Sequence, residues 1–150
     1  MSDRENNLAA VAKLMQDSCR VSINLRPSQR YEAKMRVRVK GGTVMGLCNT
    51  LWPATFYPEK RRKMHKGTMY VWEATGKKAY TACCDIWPYL AGAQQVRAIC
   101  LKEFYEDCFL ARELEAGFRR ALTLEEMKLR ESFRQRMIFI TKMQEMENSK

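Results

Sequence analysis

The chain is short of the residues that most enzymes use for chemistry. It has one histidine, His65, set in a run of lysine and arginine. One histidine excludes His-rich zinc sites and HNH-type nuclease centres, and it argues against a Ser-His-Asp triad. The six cysteines (Cys19, Cys48, Cys83, Cys84, Cys100 and Cys108) form no CxxC pair. They read as free buried thiols in a reducing compartment, not as a disulfide framework. No apolar run approaches the roughly 20 residues that span a bilayer, so no membrane partner is expected. The opening MSDRENN is acidic and polar, unlike a signal or transit peptide. The expected location is cytoplasmic or nucleoid-associated, not secreted. A hydrophobic content of 46% excludes wholesale disorder, and 150 residues suit one domain with a helical extension.

Negative charge is also scarce where it would matter. Residues 20–78 hold 14 Lys and Arg against 3 Asp and Glu, while the rest of the chain holds 13 against 14. The positive charge is patterned. In Tyr31–Lys40 (YEAKMRVRVK), Tyr31, Ala33, Met35, Val37 and Val39 share one parity, and Glu32, Lys34, Arg36, Arg38 and Lys40 take the other. Arg20–Arg26 alternates the same way, with Val21, Ile23 and Leu25 against Arg20, Ser22, Asn24 and Arg26. Successive strand side chains point to opposite faces. With the turn Pro27-Ser28-Gln29-Arg30 between them, the two segments predict an antiparallel hairpin with one greasy and one basic face. A flat basic face suits a polyanion.

Other elements follow from spacing and breakers. Ser2 and Glu5 fit a capping box before Leu8, Val11, Leu14 and Met15, predicting a helix near residues 4–18. Thr43–Trp52 reads as a short helix stopped by Pro53. Ala54–Tyr57 and Met69–Ala74 read as strands around the basic loop Glu59–Gly67, and Lys77–Trp87 as a helix broken by Pro88. A long helix follows from about Ala93 to Glu115, its apolar stripe given by Val96, Ile99, Cys100, Phe104 and Leu110. Thr123 and Glu126 form a second capping box, opening a last helix to about Glu147. Residues 1–117 are expected to form the main domain, with 118–150 as a helix packed on it. Phe133, Met137, Ile138, Phe139 and Ile140 give that helix an apolar surface broader than one packing face needs. Trp52, Trp72, Trp87, Tyr57, Tyr70 and Tyr89 suit base stacking, but their places at helix ends and strand interiors favour core packing.

Val11–Ile23 (VAKLMQDSCRVSI) resembles, without gaps, the LAGLIDADG helix and following strand of homing endonucleases. Val11, Ala12, Leu14 and Met15 match the motif's apolar positions, and Val21-Ser22-Ile23 matches the strand. The segment YVWEATGKKAY…IWPYL resembles that family's strand–Trp–Glu–x–x–Gly, helix and Pro-Tyr-Leu module. Thr123–Arg130 is similar to the closing segment of its single-motif, phage-type members. The resemblance implies an α+β fold with an αββαββα core, a curved four-stranded antiparallel sheet and a C-terminal helical extension. It also implies that the sheet's concave face saddles a DNA groove and that two copies pair through the first helix. Arg20, Ser22, Asn24, Arg26, Lys34, Arg36, Arg38 and Lys40 then face double-stranded DNA, while Lys60, Arg61, Arg62, Lys63 and Lys66 grip its backbone.

Cleavage in that family needs an acid at the foot of the LAGLIDADG helix to hold a divalent metal. Here the motif's two aspartates fall on Gln16 and Ser18, and a neutral hydroxyl is a poor Mg²⁺ ligand. Asp17 is one residue away, about 100° around a helix. It serves as catalytic and metal-binding acid only if the helix end unwinds or the register shifts by one. A basic residue expected after Pro-Tyr-Leu is replaced by Ala93, and small helix-contact residues by Lys13 and Asp17. A shifted register starting at Leu8-Ala9-Ala10-Val11 restores small residues but needs an insertion before Val21. The resulting expectation is a DNA-binding protein that has lost its nuclease activity and needs no cofactor. An active Mg²⁺-dependent DNA endonuclease using Asp17 and an RNA-binding splicing or assembly cofactor are the alternatives.

Overall fold

The computed structural model describes residues 2–40, 43–59, 68–116 and 121–148. Helix α1 runs Asp3–Ser18, and the Ser2 hydroxyl accepts the Glu5 N–H at 3.1 Å as its N-cap. Leu8, Val11, Ala12 and Met15 are its buried face, at the three- and four-residue spacing of one helical stripe. Strands β1 (Cys19–Arg26) and β2 (Arg30–Lys40) then form the predicted hairpin, with Arg20 opposite Arg36 and Ser22 opposite Lys34. Val21, Ile23, Tyr31, Ala33, Met35 and Val37 are buried on one side, so burial follows the sequence alternation. Leu25, next to the hairpin turn, breaks that pattern at 45% exposure. The turn places Ser28 at φ 65°, a left-handed position that L-residues adopt at some cost.

Helix α2 (Thr43–Leu51) leads to β3 (Thr55–Pro58), and β4 (Met69–Thr75) follows. The sheet order is β1-β2-β4-β3, with antiparallel neighbours throughout. Helices α3 (Lys77–Ile86) and α4 (Gly92–Tyr105) join α1 and α2 over the apolar face, giving the α+β architecture. Trp72 is wholly buried between sheet and helices, its indole N–H donating to the Trp52 carbonyl at 3.0 Å. Trp52 is also buried, so these two indoles are core residues. Tyr89, by contrast, is 42% exposed.

The stripe of α4 is partly the one apolar spacing predicts. Cys100 and Phe104 are buried and Ile99 and Leu110 half-buried, but Val96 is 48% exposed. Gln94, Arg97, Ala98, Leu101 and Tyr105 are buried as well. Two polar residues set the inward face, and a hydrophobicity pattern cannot register them. Beyond Tyr105 the helix widens into a π-turn, Glu106–Leu110, before α5 (Ala111–Ala116). The Cys108 carbonyl in that turn accepts from Arg130 Nη2 at 2.9 Å, and the Arg130 guanidinium lies 4.3 Å from the Phe109 ring centroid.

Helix α6 (Leu124–Asn148) carries Arg130 and packs on α4 and against β1. Phe133 meets Phe104 edge-on at 5.8 Å, and the Tyr31 hydroxyl donates to Glu131 at 2.7 Å. Only part of its broad apolar surface is covered: Phe133 and Met137 are buried, whereas Phe139 is 63% exposed. Thr123 and Glu126 cap it reciprocally, each backbone N–H meeting the other's side-chain oxygen at 3.0 and 3.2 Å. Thr123→Ala should cost about 1 kcal/mol of stability, read as a lower urea midpoint at unchanged slope.

All six cysteines are free thiols. Burial pushes Cys19 up to about 12, and Cys100 and Cys108 up to about 11, so they stay protonated and inert. Among the described residues, no helix is long and apolar enough to cross a membrane.

Candidate nucleic-acid interface

The face of the sheet turned away from the helices is built by register. Pairing of β1 with β2 puts Arg20 beside Arg36, Ser22 beside Lys34, Asn24 beside Glu32 and Arg26 beside Arg30. Pairing of β2 with β4 sets Glu73 beside Arg36, Val71 beside Arg38 and Met69 beside Lys40. Thr55 and Tyr57 of β3 continue the same face. The eight strand residues expected from alternation therefore do share one surface. Lys60, Arg61, Arg62, Lys63 and Lys66 lie outside the described residues.

That surface is strongly basic on its β1–β2 half only. A hollow of about 270 Å³ opens there, lined by Arg20, Ser22, Asn24, Lys34 and Arg36. Arg20 and Arg36 are direct cross-strand neighbours, a like-charge pairing that costs free energy until an anion sits between them. The Arg36 Nε is buried with no acceptor among the described residues. The β4–β3 half is mixed, with Val71 fully buried between its neighbours.

Three of the expected cations are already held by acids. Lys34 Nζ lies 2.6 Å from Glu73 Oε1, and Arg38 Nε lies 2.5 Å from Glu59 Oε2 with Nη2 on Oε1 at 3.1 Å. That hydrogen bond raises the Arg38 pKa above its ordinary value. Arg26 Nη2 reaches Glu32 Oε1 at 3.3 Å, within ion-pair range but without hydrogen-bond geometry. These acids pin long side chains across the strands and reduce the field that the basic count implies. Sequence reasoning passed over Arg30, Thr55 and Glu73 on this face and gave Tyr57 to the core, whereas it is half-buried here. The alternation of β4, with Trp72 and Ala74 inward, would have placed Glu73.

At the foot of α1 the helix stays wound through Ser18, so Asp17 keeps its position one residue around from the motif's acid. Asp17 is exposed and makes no ion pair among the described residues. The foot is instead clamped by amides. Gln16 exchanges two hydrogen bonds with the Ala91 backbone, both at 3.0 Å. Buried Gln94 donates through Nε2 to the Met15 carbonyl at 2.9 Å and the Cys19 carbonyl at 2.7 Å. Its Oε1 accepts from Arg97 Nη1 at 2.9 Å, and Arg97 Nε donates to Thr141 of α6 at 3.3 Å. Desolvation lowers the Arg97 pKa from its ordinary value. Among the described residues no three His, Cys, Asp or Glu side chains converge as a metal-donor set. A hydroxyl, committed amides and a buried guanidinium do not fit a divalent cation.

This backbone is similar to solved LAGLIDADG homing endonucleases. It matches I-CvuI, solved in complex with the I-CreI target in the presence of magnesium with the DNA not cleaved. The TM-score is 0.52 at 14% identity, over 86% of this chain and 95% of that one. It matches I-SmaMI bound to an uncleaved DNA target with calcium ions at TM-score 0.58 and 11% identity, over 87% of this chain and 44% of that one. I-GzeII in complex with its DNA target matches at 0.55 and 10%, over 89% and 43%. This chain thus spans less than half the length of I-SmaMI and I-GzeII. No protein-family model and no curated protein matches the sequence. At these identities the likeness establishes the fold: a LAGLIDADG-like α+β domain with its four-stranded antiparallel sheet and a C-terminal helix.

Proposed function

We propose that the polar face of the sheet binds double-stranded DNA and that the chain does not cleave it. The observation that carries the binding is the cross-strand cluster of Arg20, Arg36 and Lys34 around Ser22 and Asn24. Guanidinium groups there can clamp phosphate or read guanine, and Asn24 can read adenine. The shared fold supports the reading, because the similar proteins were solved on DNA targets. The loss of cleavage is supported by the foot of α1, where Ser18, Gln16 and Gln94 offer no carboxylate and Asp17 stays on an intact helix. A homodimer through α1 would use its exposed Ala9, Ala10, Lys13 and Asp17. Sedimentation of the protein with and without DNA tests that pairing.

Incubating the protein with supercoiled and linear DNA in Mg²⁺ or Mn²⁺ should leave both intact. Cutting that an Asp17→Ala change abolishes would overturn the non-cleaving reading. Titrating duplex DNA and a structured RNA across a salt series should favour the duplex, and a reversed preference would make RNA the partner. Glu73→Gln, which releases Lys34, should tighten duplex binding about threefold and steepen the salt slope by about one phosphate contact.

A further inference from the structure

Strand β1 ends the sheet, with β2 on one side and no strand on the other. Its outer backbone groups can be identified. The Cys19 carbonyl is taken by Gln94 and so points away from β2. Alternate residues of a strand direct their N–H and C=O the same way. The backbone groups of Val21, Ile23 and Leu25 therefore also face outward, and no described residue hydrogen-bonds to them. Helix α6 packs against β1, but none of its described residues hydrogen-bonds to this edge. Between the two lies a groove of about 650 Å³ that runs along the whole of β1. An open strand edge of this length is a template for another strand.

One wall of the groove is the polar parity of β1 with Arg20 and Arg26. The other is a single stripe of α6 on which half-exposed Ile138 and buried Met137 lie between Arg134 and Lys142. Arg20, Arg26, Arg97, Arg134 and Lys142 line it against a single acid, Glu145. Arg26 and Arg134 are paired with Glu32 and Glu131, whereas Arg20 and Lys142 make no ion pair among the described residues. We infer that this groove is a β-addition site for an extended peptide that alternates acidic and apolar residues. Such a strand satisfies the Val21, Ile23 and Leu25 backbone by main-chain hydrogen bonds. Its side chains alternate in direction, so every second residue meets Arg20 and Arg26 on the polar face of the sheet. The others face the α6 stripe, apolar at Ile138 with Arg134 and Lys142 on either side. A nucleic-acid strand satisfies the arrangement less well, because three outward carbonyls would face phosphates and the apolar part of the α6 stripe would go unused.

A fluorescein-labelled octapeptide of alternating glutamate and valine, followed by anisotropy on the full chain, is the test. It should bind and slow amide exchange at Val21, Ile23 and Leu25. N-methylation of every second peptide bond should weaken it about tenfold or more, the effect of losing two or three hydrogen bonds. Replacing its glutamates with lysine should abolish binding, and Arg134→Glu with Lys142→Glu on the protein should weaken it severalfold at low salt. Absence of binding by the glutamate–valine peptide sinks the proposal. So does equal binding of the methylated peptide, which would leave charge alone. Displacement by oligothymidylate that protects the same three amides would make the groove a nucleic-acid channel and overturn it as well. The peptide modifications need no altered protein, so a folding defect cannot imitate their effect.

Discussion

Duplex DNA binding should fall about a hundredfold when Arg20 and Arg36 are both changed to glutamate, and the salt slope should flatten by about two phosphate contacts. The two guanidiniums sit directly opposite each other across β1 and β2, in the hollow shared with Ser22, Asn24 and Lys34. Without a ligand their like charges repel, so the free protein holds them at a cost that a phosphate between them removes. That arrangement makes the single changes informative. Arg36→Glu alone gives Arg20 an acidic neighbour but sets a second acid beside Glu73, so thermal stability should change little while affinity drops. A folding defect would move both downward together. Lys128→Glu, on the exposed surface of α6, should change affinity no more than about twofold, since an isolated surface charge contributes little. Were the double reversal as harmless as the Lys128 control, the sheet face would not be the contact surface.

The hairpin that carries this prediction was legible from sequence for a simple reason. Period-two alternation over Tyr31–Lys40 fixes which side chains share a face, whatever the strand pairs with. The αββαββα order was legible from breakers and capping boxes, and Thr123 with Glu126 forms its box in both directions. What stayed hidden depends on contacts between distant residues. Lys34 and Arg38 are neutralised by Glu73 and Glu59, which reach them only through the β2–β4 register and the end of β3. On the inward face of α4, Cys100 and Phe104 were placed from spacing, but Gln94 and Arg97, buried for their hydrogen bonds, were not, and Val96 points to solvent. The groove beside β1 depends on where α6 docks, and no local pattern in either segment specifies that.

Gln94→Met should destabilise the protein by about 3 kcal/mol, roughly 10 °C in midpoint for a chain of this size. Methionine matches the length and fills the space, so packing changes little, and the loss is of hydrogen bonds. The Cys19 carbonyl loses its partner, while Met15 keeps the helix-closing bond from the Cys19 N–H. Arg97 Nη1 loses its acceptor although the guanidinium stays buried at 7% exposure. An unpaired buried charge is the larger part of the cost. Removing it as well should therefore help: the double change Gln94→Met with Arg97→Met should cost clearly less than the two single changes added together. Strict additivity in that cycle would mean the two side chains do not act as a unit. The clamp also has a functional consequence. Gln94 fixes the junction of α1 and β1 one residue before Arg20, so loosening it should weaken duplex binding severalfold under conditions where the variant is still folded. Arg97→Met, which leaves both carbonyl bonds of Gln94 in place, should bind nearly as the unaltered chain does.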